Sequence, residues 1–442
     1  MTPTATRRRG WVVRSAAVGA AATLVLAGCA PGGEDGGEDG DSATAFSLLT
    51  PAENAIIRNE LTALSSGACQ TQNTALPLSS ETVAQSDVVQ KVTLLASQKA
   101  LPVMFVAGTA QVRPDGDLGK NKLTVDYETK LKELGHWDDI LPAAAATVKS
   151  AYGGNMASLP FQYNIEGIFY NKTLFAQHGV TPPTTWDEFV AVAEKLKAAG
   201  VVPITQAGAQ GWPITRLIGN YIFRSVGPDA MTKVQNGQAK LTDPEYVAAA
   251  RTIADLGRAG LFGEGVTSRA ADAANAQFLN GQAAMTYTGS YFLANLNDPA
   301  QNKVGVSNVG FIPFPGVDGG KGNSGQWPAN AGAATATSAA AYGPKVGDWL
   351  GCIAENYGSS VLKNQGVISG FRLNQPVDAI PPLTAELQAI VSKTTETVLW
   401  FEALWDAKTT ADAQKNVALL LTGQQSPEQY MAMLQADLEK AR

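Results

Sequence analysis

Four short segments set large rings beside glycine, proline or polar neighbours: Gln210-Gly211-Trp212-Pro213, Thr288-Gly289-Ser290-Tyr291-Phe292, Gly325-Gln326-Trp327-Pro328 and Trp400-Phe401-Glu402-Ala403-Leu404-Trp405. Rings in that company often stand half exposed at the lip of a cleft. Flat aromatic faces take up the apolar C–H faces of a hydroxyl-rich ring, while amides and carboxylates take its hydroxyls. Each hydrogen bond from a hydroxyl to a charged carboxylate is worth about 1.5–3 kcal/mol net. A few such bonds with two stacked rings reach about −8 kcal/mol, a micromolar affinity. The chemistry on offer is capture of an uncharged sugar-like molecule. Each ring taken singly serves equally well as core packing, so the set carries the reading.

Covalent and metal chemistry have little to work with. The chain holds 2 histidines, His136 and His178, and neither stands in a metal-ligand spacing. His178 precedes Gly179 at a helix end, where an imidazole faces solvent near the negative terminus. No nucleophile elbow, phosphate-cradling loop or zinc signature occurs. The adjacent pair Asp138-Asp139 reads as a solvated turn. No catalytic residue, metal site or cofactor is expected.

The N-terminus places this chemistry outside the cell. Arg7, Arg8 and Arg9 precede an apolar, small-residue stretch over 11–28, too short for a comfortable membrane span. It ends in Leu26-Ala27-Gly28-Cys29, which resembles a bacterial lipobox, so residues 1–29 read as a lipoprotein signal with Cys29 as the lipidated residue. The basic start suits general or twin-arginine export. Residues 30–44, rich in Gly, Glu and Asp, have no apolar face to bury and read as a disordered acidic tether. Its root-mean-square reach is roughly 20 Å. Taking the signal's four arginines off the formal −6 leaves −10, a charge that argues against nucleic acid as a partner. Of the 3 cysteines, Cys69 and Cys352 could pair in an exported chain, but they lie far apart and read rather as two separate buried thiols in different lobes.

About four hundred mature residues exceed one ordinary core, so two lobes are expected. Residues 45–50 read as a buried strand, 53–64 as a helix, Val89, Val92, Leu95 and Ala96 as a helical stripe, and 101–108 as a second strand. Strands and helices alternating without tight hairpins imply an α/β sheet with helical crossovers. Thr185 and Glu188 form a capping box before the stripe Phe189, Val192, Leu196 and Ala199, which Gly200 stops. Asp243-Pro244 opens another helix burying Tyr246, Ala250, Ile253 and Leu256, and Ser426-Pro427-Glu428-Gln429 a last one burying Tyr430, Leu434 and Leu438.

The run Leu159-Pro160-Phe161-Gln162-Tyr163-Asn164-Ile165-Glu166-Gly167-Ile168-Phe169-Tyr170-Asn171-Lys172-Thr173-Leu174-Phe175 resembles the Tyr-Asn-Lys-x-Leu-Phe segment of bacterial extracellular solute-binding proteins of carbohydrate importers, the maltose-binding-protein-like family. The resemblance continues through the Thr-Thr-Trp-Asp-Glu-Phe helix start and Phe278-Leu279-Asn280-Gly281-Gln282-Ala283-Ala284-Met285 to 423–428. It implies a two-lobe periplasmic-binding-protein-like α/β fold, with several hinge crossings and an interlobe cleft that closes on ligand. Residues 45–158 with about 296–335 would form lobe 1, and 159–295 with about 336–442 lobe 2. Carried over by position, Asn164 and Glu166 lie where a crossing strand passes the cleft, and Tyr291 stands where the family often has a stacking tryptophan. Trp212 edges the cleft, Trp400 or Trp405 adds a late aromatic, and Trp327 belongs to the ring set. Pro102 is followed by Val103 and not by the aspartate common in the family, so Thr109 and Gln111 would supply neutral contacts instead.

These readings imply a monomeric, lipid-anchored receptor for a sugar or short oligosaccharide, handing it to the permease subunits of an ABC importer at the outer face of the membrane. A non-sugar solute such as a peptide, polyamine or metal complex would need an ionic cleft. A secreted carbohydrate-active enzyme would need a catalytic carboxylate, for which no constellation stands out.

Overall fold

The computed structural model describes residues 43–394 and 397–441. The signal, Cys29 and nearly all of the tether lie outside the described residues.

Ten strands are described: β1 Phe46–Pro51, β2 Leu78–Val83, β3 Met104–Ala107, β4 Asn164–Asn171, β5 Val202–Thr205, β6 Ala283–Gly289, β7 Val309–Ile312, β8 Trp327–Asn330, β9 Ala334–Thr337 and β10 Thr397–Val398. They form two sheets. The first runs β2-β1-β3-β9, parallel except for β9. The second runs β10-β8-β4-β6-β5, with β7 on the far half of β4. The apolar runs of β1 and β3 are almost wholly buried, as expected of strands covered on both faces. The polar β2 escapes sequence reading because it lies at the sheet edge, largely exposed.

Each sheet has its own core. One gathers 46–161 with 331–371, and a second packs the helices Trp212–Ser225, Pro244–Arg258, Ala407–Leu421 and Pro427–Ala441 on the other sheet. A third covers the reverse face of β4, with Phe169, Phe292, Phe311 and Trp327. The chain therefore makes two α/β lobes, crossing between them before β4, between β8 and β9, and after the helix Pro344–Gln365. Two returning segments differ from the expected partition. β7 and β8 pair with β4 and belong to the second lobe, whereas the helix Pro344–Gln365 packs into the first. Pairing register, a long-range property, decides this.

Local signals act as expected. Thr185 Oγ accepts from the Glu188 amide at 3.3 Å while Glu188 accepts from the Thr185 amide at 3.2 Å. That helix buries Phe189 and Leu196, although Ala199 is exposed. The helices at 244 and 427 bury the residues expected of them. Val89 faces outward, unlike Val92.

The expected separation of Cys69 and Cys352 is overturned. They form a disulfide with a Cα–Cα distance of 5.9 Å across a separation of 283 residues. Both sit in the first lobe, because the helix Pro344–Gln365 returns to pack against Ile56–Ser66. An oxidising compartment suits such a bond.

Candidate functional site

The network begins where β4 leaves the crossing. Asn164 and Glu166, two residues apart, project to the same face of the strand. Asn164 pairs in register with Asn330 of β8, and its Nδ2 donates to Asn330 Oδ1 at 3.0 Å. Asn330 Nδ2 in turn donates to Glu166 Oε1 at 2.8 Å, and Tyr287 of β6 donates its hydroxyl to Glu166 Oε2 at 2.8 Å. Ser290, just past β6, donates to Asn164 Oδ1 at 3.4 Å.

The helix Trp212–Ser225 adds a second wall. Trp212, Arg216 and Asn220 recur every four residues and share one face. Arg216 Nη1 donates to Glu166 Oε1 in a largely buried ion pair. Asn220 Nδ2 donates to Tyr287 Oη at 2.7 Å. The Arg216 guanidinium carbon lies 5.6 Å from the Trp212 ring centre and 4.9 Å from that of Trp400, both within cation–π range. Gly211 starts this helix at φ +72°, with the Gln414 carbonyl oxygen 1.9 Å from where a Cβ would stand. Only glycine fits there, so the placement of Trp212 depends on it.

A second carboxylate lies behind the rings. Glu402 is fully buried and accepts a hydrogen bond from Thr215, the residue before Arg216. Burial raises its pKa, partly opposed by the Arg216 charge and the Thr215 bond. Burial also raises the Tyr287 pKa far above the usual phenol range, reinforced by the Glu166 charge, so this hydroxyl stays a donor. The Tyr291 hydroxyl accepts from Thr288 at 2.8 Å, and burial pushes its pKa up to about 12. A Cβ on Gly289 would meet the Tyr291 ring at 2.7 Å and Asn164 Cβ at 3.5 Å, which sets that ring over the strand end beside Asn164.

Of the residues expected from sequence, Asn164, Glu166, Trp212, Trp400 and Tyr291 thus converge. Thr109 follows β3 in the first lobe and hydrogen-bonds Tyr152. Its segment reaches the second lobe where Arg113 Nη1 donates to the Trp405 carbonyl at 3.4 Å. Three expectations differ. Gln111 is buried with its amide spent, donating to Val89 O at 3.2 Å and Thr93 Oγ at 2.9 Å and accepting from Gly108 N at 2.9 Å. Trp327 stacks on Phe311 at 5.6 Å in the core, and Trp405 packs edge-on to Phe401 at 4.5 Å. These rings fill interior volume, which a neighbouring glycine or proline does not reveal. Sequence reading missed Arg216, Asn220, Tyr287 and Asn330. The Trp212-Arg216-Asn220 spacing was the available signal, but it also describes an ordinary polar stripe.

A cavity of about 460 Å³ lies elsewhere, lined by Thr147 and Tyr163, by Asp229 and Thr232, and by Thr397 and Leu399. It touches both lobes and none of the residues expected to bind ligand.

The fold, a pair of α/β lobes with polar groups and rings gathered at the crossing, defines a class of binding protein. Residues 77–349 match the model for bacterial extracellular solute-binding proteins, and this chain belongs to that family. It is 29% identical over 175 residues to the multiple sugar-binding protein of Streptococcus mutans serotype c, covering 37% of this chain and 40% of that one. It is 28% identical over 182 residues to the sn-glycerol-3-phosphate-binding periplasmic protein UgpB of Salmonella typhimurium, covering 39% of each. The matched stretches span about a third to two-fifths of the length of such curated relatives. Among solved structures, a chitin oligosaccharide binding protein superposes with a TM-score of 0.78 at 24% identity, covering 90% of this chain and 99% of that one. Maltose-bound T. maritima MalE3 gives 0.73 at 18% identity, covering 90% and 100%.

Proposed function

We propose that this protein is the lipid-anchored substrate-binding component of an ABC importer, capturing a sugar or short oligosaccharide between its lobes and presenting it to the permease. The observation that carries this reading is the convergence of Asn164, Glu166, Arg216, Tyr287 and Asn330 beside Trp212, Trp400 and Tyr291. Amides and a phenol suit hydroxyls, and the ring faces suit the apolar side of a sugar. Similarity to a multiple sugar-binding protein, a chitin oligosaccharide binding protein and maltose-bound MalE3 supports the choice of ligand class. Capture and release need no covalent step. The ligand favours the closed arrangement only to the extent that it binds it better than the open one.

Calorimetry of the mature domain against chito-oligosaccharides, xylo-oligosaccharides, maltose, raffinose, galactose and ribitol tests this. At least one is expected to bind near micromolar and raise the melting temperature. No heat and no shift across the panel would overturn the sugar assignment. For the anchor, radiolabelled palmitate is expected to mark the wild type and not Cys29→Ala, and labelling of both would remove Cys29 from that role.

A further inference from the structure

The site contains formal charges, which invites the reading that its ligand is charged. The balance of those charges points the other way. We propose that Arg216, compensated by both Glu166 and Glu402, is the specificity-determining residue through which the cleft accepts neutral sugars and rejects their acidic forms. The proposal rests on the sugar-binding reading above and sharpens its substrate class.

Arg216 spends Nη1 on Glu166, whose carboxylate also takes hydrogen bonds from Asn330 and Tyr287. Glu402, bonded to Thr215, lies within the field of the same guanidinium. At a pH above the raised Glu402 pKa both carboxylates are ionised, so two negative charges face the one positive charge of Arg216, and the Tyr287 phenol adds none. Of two other guanidinium groups, Arg113 holds Asp115 and the Trp405 carbonyl. Arg224, about two turns further along the helix and buried, holds the Phe314 and Gln326 carbonyls through Nε and Nη1 while its Nη2 has no partner. A phosphate or carboxylate placed against Trp212 and Trp400 therefore meets a cation already matched and a surplus negative charge, in a region where burial weakens screening. A hydroxyl meets no such repulsion. Arg216 Nε is buried without a hydrogen-bond partner, so an oxygen drawn in between the rings would complete it. The guanidinium also lies within reach of both ring faces and holds them in place, which couples the charge balance to the stacking surface.

The test is calorimetry of the mature wild type and Glu402→Gln. The titrants are the tightest neutral sugar of the panel and the same sugar carrying one carboxylate, made by oxidising a hydroxymethyl group or, for a xylo-oligosaccharide, the reducing end. Wild type is expected to bind the acidic form at least about 10-fold more weakly, the scale of one surplus charge acting through a partly buried site. The gap is expected to shrink several-fold in Glu402→Gln and, in wild type, as salt is raised. Equal or tighter binding of the acidic form overturns the proposal while leaving the sugar reading intact. So does a gap that neither the variant nor salt changes, since the exclusion is then one of shape. If Glu402→Gln does not fold, the salt series on wild type decides alone. If neither form binds, the sugar reading fails and this proposal fails with it.

Discussion

Two buried carboxylates, one in each lobe, do different work. Glu60 in the first lobe is almost completely buried and accepts from Ser360, from Asn364 at 2.9 Å and from Gln365 at 2.8 Å. All three donors are neutral and lie on one facing helix, and the Cys69–Cys352 disulfide fastens that helix to the same region. Glu166 is as deeply buried, but its donors come from three separate elements and one of them is a guanidinium set against two rings. The Glu60 network is satisfied within the protein and closes a seam. The Glu166 network leaves Arg216 Nε unmatched beside rings that are only partly buried. Unspent capacity and diversity of origin, and not burial, separate the candidate site from the staple.

The strongest test of that contrast removes the staple. Replacing Cys69 and Cys352 by serine is expected to cost about 2–5 kcal/mol of stability, read from urea unfolding, because the bond closes a very long loop. Sugar affinity of the folded fraction is expected to stay within about twofold of wild type, too small a change to count as lost binding energy. A large loss of affinity would show that the first-lobe seam helps form the site.

Glu166→Ala reverses the pattern. Leaving Arg216 buried without its partner is expected to cost about 3–5 kcal/mol, and affinity is expected to fall as well, since both rings lean on that guanidinium. Glu60→Ala is expected to lose stability on the scale of about 1–3 kcal/mol for a stranded hydrogen-bond group and to bind sugar normally. If the two alanine variants behave alike in calorimetry, the distinction between the networks is wrong.

The tryptophans sharpen it further. Trp400→Ala is expected to weaken sugar binding about tenfold, the worth of one stacked ring, with a modest stability change. Trp405→Ala, emptying a core position, is expected to cost about 3–5 kcal/mol of stability and to alter affinity little in the folded protein.

How much of this was legible in the chain follows from the range of each signal. Capping at Thr185 and Glu188, the apolar runs of β1 and β3, and the helical stripes at 246–256 and 430–438 are local, and they appear where the residues place them. Asn164, Glu166, Trp212 and Tyr291 were reachable because their segments resemble a family. Arg216, Tyr287 and Asn330 were not, since their meaning arises only when β4, β6, β8 and one helix come together. The disulfide and the assignment of β7 were hidden for the same reason. Each depends on which distant segment returns to which lobe, and residue spacing does not encode that. Trp327 and Trp405 misled because proline and glycine mark turns and not exposure.

The smallest expected effect concerns Glu402, and its sign is definite. Burial holds the folded-state pKa of this carboxyl above its ordinary value. The folded protein therefore keeps this proton to higher pH than the unfolded chain does. The associated stability is fully present below the unfolded-state pKa and is lost as pH rises through the folded-state value. Carboxylates such as Glu188, held low by hydrogen bonds from Thr184 and Thr185, act in the opposite sense, losing their contribution as pH falls. That background is shared by wild type and Glu402→Gln, so it cancels in their difference. Urea unfolding of the two proteins from acidic to neutral pH is expected to show the variant gaining on wild type as pH rises. A difference between wild type and Glu402→Gln that stays flat with pH would mean that Arg216 compensates Glu402 fully, and the surplus negative charge behind the rings would then have no effect on the fold.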